Sequence, residues 1–469
     1  MGFKYLIQKL REINRRSSER KVRSRDLVLG VAASHDRRSP VIFRDQMRPT
    51  HLAVMGLSGV GKSYLIEKLV RQDIQQGTGF VIFDVHGDLA DRIVSYLAER
   101  TRGDDTLLSR IVIIEPFDRD TSIGFNPLEQ VEGTSPFMQA QELAHILRSR
   151  WGADSFGART EELLRIALYT LSAHNLTLLE LVHLLSDATY RAHLTRSLLE
   201  PSVRDYWRGR YQRLSEPMKS AVREPLLTRV SAFLADPQVR DIVGQRKSTF
   251  TFRDAMARGL WVVINLSKGK LGENSALLGS LLFTKLELDV MARAGTPPHQ
   301  RQLFAVYADE LQNLASRNFA TLVAEARKYK VALTAGNQFW SQLSPDMRAA
   351  MLSVGSRVFF RLHYHDAQEL AGELDPRERQ WYVSLLTRLP RGHAVFRTGE
   401  HDPVLFQVES IRQSDATEEE VALLKSNSAA RFAISRGLIS QDIEQRRAQR
   451  ASLAISEKLD RSNKPLNSS

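Results

Sequence analysis

Short apolar runs bounded by Gly or polar residues punctuate the first quarter of the chain: HLAVMG at 51–56, GFVIFD at 79–84 and RIVIIE at 110–115. Unbroken runs of this length fit strands covered on both faces, as in a parallel sheet. Between them, 62–76 and 87–100 place apolar residues at helical spacing. Strand, helix, strand, helix, strand predicts an α/β core. The rhythm stops near residue 125. From about 136 to 256 the pattern contains no strand; ARTEELLRIALYTLSAH, TLLELVHLLSD and EPLLTRVSAFLAD repeat apolar residues three and four apart. This predicts an all-α insertion. Strand patterns resume at 260–266 (LWVVINL), 303–308 (LFAVYA), 331–336 (VALTAG), 357–362 (RVFFRL), 393–398 (HAVFRT) and 403–408 (PVLFQV). Beyond about 411 the chain reads as polar and helical, and the closing NKPLNSS reads as disordered. The expected division is a basic arm and lead-in (1–48), the first part of the core (49–135), the helical insertion (136–256), the second part of the core (257–410) and a polar helical tail (411–469).

Composition narrows the class. A chain of 469 residues exceeds one ordinary compact core, and 42% apolar with 26% charged residues suits a soluble globular protein. No apolar run approaches the roughly 20 residues of a membrane span. The opening MGFKYLIQKLREINRRSSERK is too interrupted by charge for a signal peptide. A cytoplasmic location is therefore expected. The absence of Cys excludes thiol catalysis, disulfides and Cys-ligated metals. The net charge of +12 favours polyanionic partners, with solubility alone as the plainer explanation. Residues 1–25 hold nine Lys and Arg against two Glu. This arm suits phosphates or lipid headgroups. Equally, it suits a solvated amphipathic helix packed through Phe3, Leu6, Ile7 and Leu10.

The candidate chemistry begins at Gly56-Leu57-Ser58-Gly59-Val60-Gly61-Lys62-Ser63, a full match to G-x-x-x-x-G-K-[ST] between a predicted strand and a predicted helix. Glycines let successive N–H groups converge on phosphate oxygens, and the helix N-terminus adds partial positive charge. Lys62 is expected to reach the β- and γ-phosphates of a nucleoside triphosphate, and Ser63 to ligate Mg²⁺. The strand 303–308 ends in Asp309-Glu310. Asp309 is the candidate for holding Mg²⁺, and Glu310 for the general base that polarises the attacking water. Gln338, after the strand 331–336, is a candidate contact to the γ-phosphate or that water. Arg327 is a candidate for stabilising the transferring phosphoryl group of a neighbouring subunit. Its rivals are Arg357 and Arg361, and its plainer reading is a surface charge paired with Glu325 or Asp309. Asp84 and His86 lie where sheet ligands collect and are expected to support the nucleotide site or Glu310, His86 without metal. Lys268 and Lys270, expected in a loop, are candidates for tracking a nucleic-acid backbone, and equally for ordinary solvated loop charges.

Taken together, these segments resemble the HerA–FtsK superfamily of P-loop motors, and most of all the type IV secretion and conjugation coupling ATPases. The likeness covers roughly residues 25–410. It is carried by GLSGVGKS, FDVHGDLAD, IGFNPLE, WVVINLSKGKLGE, YADELQNLAS and EARKYKVALTAGNQFWSQL. The resemblance implies a RecA-like core with helices on both faces of a mainly parallel sheet and an inserted all-α domain. It places the Walker B pair on Asp309 and Glu310, the arginine finger on Arg327 and the sensor on Gln338. It further implies ATP and Mg²⁺, a ring that is commonly hexameric, and movement of DNA beside a relaxase, secretion-channel or nuclease partner. Membrane-bound coupling proteins carry N-terminal spans, which this sequence lacks, and its leader is too short for the β-barrel domain of HerA proper. The competing functions are a protein-handling secretion ATPase and a slow regulatory NTPase.

Overall fold

The computed structural model describes residues 22–33, 39–131, 133–151, 157–314, 319–399 and 401–462. The basic stretch 1–21 and the closing 463–469 lie outside them. The chain forms two compact units.

The first unit comprises residues up to Ile114, Phe252–Gly269 and Asp289–Ser428. It is built on one eleven-stranded sheet. Its strands are β1 (Leu27–Ala32), β2 (Pro40–Phe43), β3 (Leu52–Met55), β4 (Gly79–Asp84) and β5 (Ile111–Ile114). A short strand of the second unit, β6 (Thr121–Ile123), comes next along the chain. The sheet resumes with β7 (Trp261–Asn265), β8 (Phe304–Ala308), β9 (Val331–Asn337), β10 (Ser356–Phe359), β11 (His393–Thr398) and β12 (Val404–Gln407). The order is β2-β1-β12-β11-β10-β3-β9-β8-β4-β7-β5. From β10 to β5 every pairing is parallel; from β10 to β2 every pairing is antiparallel. The parallel strands β3, β4, β5, β7, β8 and β9 are buried at every position, which explains their unalternating sequences.

Nine strand regions read from the sequence are present. The sequence reading had no strand in the lead-in, yet β1 and β2 extend the sheet there. LVLGVA is interrupted by Gly30, where the pairing of β1 with β2 shifts register, and PVIF opens on Pro at the edge of the sheet; both features weaken a strand pattern.

The helix Lys62–Gln76 starts after Gly61 and stops at Gly77, whose φ of 71° supplies the left-handed cap. Leu65, Ile66, Leu69, Val70 and Ile74 line its buried face. Burying each contributes about 1.5–3 kcal/mol. This helix is also pinned to β8 by a buried cluster. Arg48 grips both oxygens of Asp73 at 2.7 Å, and the Tyr307 hydroxyl donates to Asp73 at 2.5 Å. Burial raises the Tyr307 hydroxyl's pKa well above the usual value, and the Asp73 charge adds to the effect. Helix Lys62–Gln76 carries Ser63 and β8 leads into Asp309, so the cluster fixes their mutual register.

The second unit comprises residues 115–251, 270–288 and those from 429 onward. It is helical, with Pro136–Arg150, Ala158–Ala173, Leu179–Ser186 and Glu216–Ala235 among its helices. A two-stranded sheet joins β6 to β13 (Ala433–Ser435). The unit therefore begins before 136 and draws in chain from two later segments. Helix Phe252–Arg258 groups with the first unit instead. In the segment after 411, Leu424 is buried in the sheet unit's core and the Ser428 hydroxyl accepts from the Ile113 N–H at 2.9 Å.

Candidate nucleotide site

The Gly56–Ser63 loop joins β3 to helix Lys62–Gln76 at the carboxyl edge of the parallel strands, where α/β sheets bind ligands. Three backbone bonds hold its shape. Gly56 N–H donates to Asn337 O at 3.2 Å, Leu57 N–H to Arg361 O at 2.9 Å, and Gly392 N–H to Val60 O at 2.9 Å. Gly61 has φ 120°, a conformation that side chains disfavour, and a Cβ there would lie 3.3 Å from the Phe360 ring. Lys62 is buried, and its ammonium donates to Gly56 O at 2.8 Å and Leu57 O at 2.9 Å. Burial lowers its pKa; the charges of Glu310 and Asp309 oppose that shift.

Strand β9 lies between β3 and β8, so the phosphate loop and the acidic strand end face each other across one strand. Ser63 Oγ donates to Asp309 Oδ2 at 2.6 Å. Asp309 is 3% exposed, and its Oδ1 has no hydrogen-bond partner among the described residues. Burial pushes its carboxyl pKa up, Ser63 draws it down, and the negative charges of Glu310 and Asp84 push it up further. A cation beside Ser63 and Asp309 would relieve this strain and engage the orphaned oxygen. The residues thus fit Mg²⁺, which favours few carboxylates plus water and phosphate oxygens. Close approach is secured by Gly336: a Cβ there would fall 2.9 Å from Asp309 Oδ1. Glu310 is buried, in a left-handed backbone with φ 62° and ψ 57°.

The other candidates separate. Gln338 follows β9 directly and is half-buried. Its neighbour Asn337, passed over in the sequence, is fully buried with both amide atoms unpartnered among the described residues. Arg327 is exposed on the 3₁₀ turn Ala326–Tyr329, before β9 begins. It forms no ion pair among the described residues; Glu325 instead pairs with Lys328 at 2.7 Å. The seven residues of β9 separate Arg327 from Gln338 by about 20 Å. Arg327 therefore stands at the opposite edge of the sheet from its own chain's loop. Arg357 is occupied, bonded to Leu352 O and 3.8 Å from Glu373. Arg361 is exposed beside the loop its carbonyl anchors.

Asp84 has a structural task. Its oxygens accept from His86 N–H and Ala90 N–H, both at 2.9 Å, capping the start of helix Asp88–Arg100. Its reach to the site is the repulsion felt by Asp309. His86 is exposed, and no cluster of three or more His, Asp or Glu suited to a metal occurs among the described residues. Lys268 and Lys270 are exposed in a short helical turn, Lys268–Leu271, rather than a loop. Lys270 also lies 3.8 Å from the centre of the Phe117 ring.

A family model described as "Helicase HerA, central domain" matches residues 32–223. The structure is similar to the bacterial conjugative coupling protein TrwBdeltaN70, with a TM-score of 0.61 at 20% identity, over 88% of this chain and 93% of that one. TrwB in complex with the ATP analogue ADPNP gives 0.59 at 19% identity, over 87% and 94%. VirB4 of Thermoanaerobacter pseudethanolicus gives 0.51 at 14% identity, over 83% and 98%. The chain has the RecA-like P-loop fold of TrwB. No curated protein matches it in sequence. The RecA-like core expected from the sequence is present, with an antiparallel extension on one side. Among the described residues no helix is long and apolar enough to cross a membrane.

Proposed function

We propose that this chain is a Mg²⁺-dependent ATPase that works as a ring, most simply a homo-hexamer, to move DNA in the manner of a conjugation coupling motor. The observation that carries the ATPase reading is the meeting of Lys62, Ser63, Asp309 and Glu310 around one point. Ser58, Gly59, Val60 and Gly61 present backbone N–H groups to the phosphates, Gly56 and Leu57 hold the loop's shape through their bonds to Asn337 O and Arg361 O, and Lys62 exchanges its two carbonyl partners for phosphate oxygens. A cleft of about 590 Å³ opens beside Gly61 and Tyr64, also lined by Arg391, Gln407 and Glu409, with room for a nucleoside. Ser63 and Asp309 would hold Mg²⁺, which supplies charge neutralisation on the phosphates. Glu310 takes the proton of the attacking water, and Gln338 orients that water. Arg327, exposed and about 20 Å from its own site by the length of β9, acts on a neighbour's nucleotide.

TrwB is described as a plasmid coupling protein, solved with ADP and Mg²⁺ as well as with ADPNP. That likeness, the net charge of +12 and the exposed Lys268 support DNA as the cargo. A cytoplasmic site of action fits this role, beside a relaxase, a secretion channel or a nuclease. The test is ATP hydrolysis with single-stranded, double-stranded and no DNA. Several-fold stimulation by one of them, with salt-sensitive binding, is expected. Equal rates throughout with no DNA binding would overturn the DNA reading and favour a protein-handling motor. Inactive Arg327→Ala subunits mixed with inactive Glu310→Gln subunits should regain activity; no rescue removes Arg327 from the site.

A further inference from the structure

The left-handed backbone at Glu310 turns the chain sharply from β8 into the 3₁₀ turn Leu311–Asn313. The strained residue costs roughly 1 kcal/mol. It also leaves the long Glu310 side chain dependent on its surroundings for aim. One side chain supplies that aim. Gln312 Nε2 donates to Glu310 Oε2, and the same nitrogen lies 3.3 Å from Gln342 Oε1. Gln342 ends the 3₁₀ turn Trp340–Gln342, four residues beyond Gln338. Gln312 Oε1 is itself buried and meets no donor among the described residues, leaving an acceptor beside the carboxylate.

We propose that Gln312 is a positioning residue for hydrolysis: its amide holds the Glu310 carboxylate in place and ties it, through Gln342, to the loop that follows β9. This rests on the reading of Glu310 as general base. The chemistry suits an amide. It donates to a carboxylate and to an amide oxygen at once, and it stays neutral. A carboxylate at 312 would repel Glu310, and an aliphatic chain would leave it unheld. Because Gln338 and Gln342 share one loop, a shift of that loop on nucleotide binding reaches the general base directly. Ordinary polar packing would give Gln312 a share in stability but no special hold on the chemical step.

The test compares full-length Gln312→Leu, Gln312→Glu, Gln342→Leu, Glu310→Gln and the Gln312→Leu/Glu310→Gln double variant. Each is assayed for kcat, KM for ATP and melting temperature. Gln312→Leu should lower kcat by about tenfold, as a misaimed catalytic group does, with KM and melting temperature unchanged. Gln312→Glu should fall further, and Gln342→Leu less. On the Glu310→Gln background, single-turnover hydrolysis should show no additional loss from Gln312→Leu. A Gln312→Leu enzyme with wild-type kcat beside an inactive Glu310→Gln overturns the positioning role alone. So does a loss of equal size in both backgrounds. An active Glu310→Gln overturns the base assignment, and this proposal with it.

Discussion

His51, immediately before β3, has φ 70°, a conformation that disfavours ordinary side chains. Its ring compensates by joining two neighbours. Nδ1 accepts from Leu333 N–H on β9 at 3.1 Å, so the proton sits on Nε2, which donates to Val323 O at 3.0 Å. A second proton would set two N–H groups against each other at Leu333. Burial holds the imidazole pKa down at about 4 against an ordinary 6.5. Between those values the unfolded chain binds the extra proton and the folded chain does not, so stability falls as pH drops through the window. The contribution is complete above pH 6.5 and gone below pH 4. Linkage from these two values puts the loss between pH 7 and pH 5 at roughly 2 kcal/mol. For a unit of this size that lowers the melting temperature by about 4 °C. His183, in the helical unit, is also held at about 4 by burial and by Arg450, so wild type alone does not isolate His51. The comparison is with His51→Asn, which tolerates positive φ and does not titrate. Calorimetry at pH 5 and pH 7 should show a smaller pH-dependent shift of the sheet unit's transition in the variant. An identical shift in both proteins would refute the account.

Two substitutions probe the site's geometry. Gly336→Ala puts a methyl 2.9 Å from Asp309 Oδ1 and 3.2 Å from Ile66 Cδ1. It should raise the Mg²⁺ concentration needed for half-maximal hydrolysis several-fold while the melting temperature changes little; an unchanged Mg²⁺ titration would show that Asp309 does not touch the metal. Asp84→Ala removes the cap of helix Asp88–Arg100 and should cost about 1–2 kcal/mol, measured by denaturant unfolding. A large fall in kcat without loss of stability would instead give Asp84 a direct part in the chemistry.

Much of the core was legible because its parallel strands are buried at every position and write themselves as unbroken apolar runs. The phosphate loop was legible because its chemistry demands Gly, Lys and Ser at fixed spacing, and Asp309-Glu310 because an acidic pair ending such a strand is chemically conspicuous. β1 and the edge strand β2 were not, since the irregular pairing at Gly30 and the edge position of Pro40 admit residues that break the pattern. β13 is three residues between two helices, too short for a period to register. The helix-capping task of Asp84 was not legible, because the capping partners are backbone groups that no side-chain pattern records. Asn337 was overshadowed by Gln338: adjacent amides look alike in a sequence, and only burial tells them apart. The spacing of Gln312, two residues past Glu310, was visible; its partner Gln342 depends on tertiary folding. The contact of Gly392 with Val60 leaves no local trace at all.

That last contact sets an order of events during synthesis. The phosphate loop leaves the ribosome early, but the amide that secures Val60 belongs to a residue made more than three hundred positions later. Gly392 is in turn fixed by Val408, whose N–H donates to its carbonyl at 2.8 Å, and Ile411 N–H donates to the Tyr64 hydroxyl. A nascent chain therefore carries the whole signature of the phosphate loop long before the backbone partners that shape that loop exist. On the ATPase reading proposed above, a chain that stops short of the last strand of the sheet should bind nucleotide more weakly than the finished one.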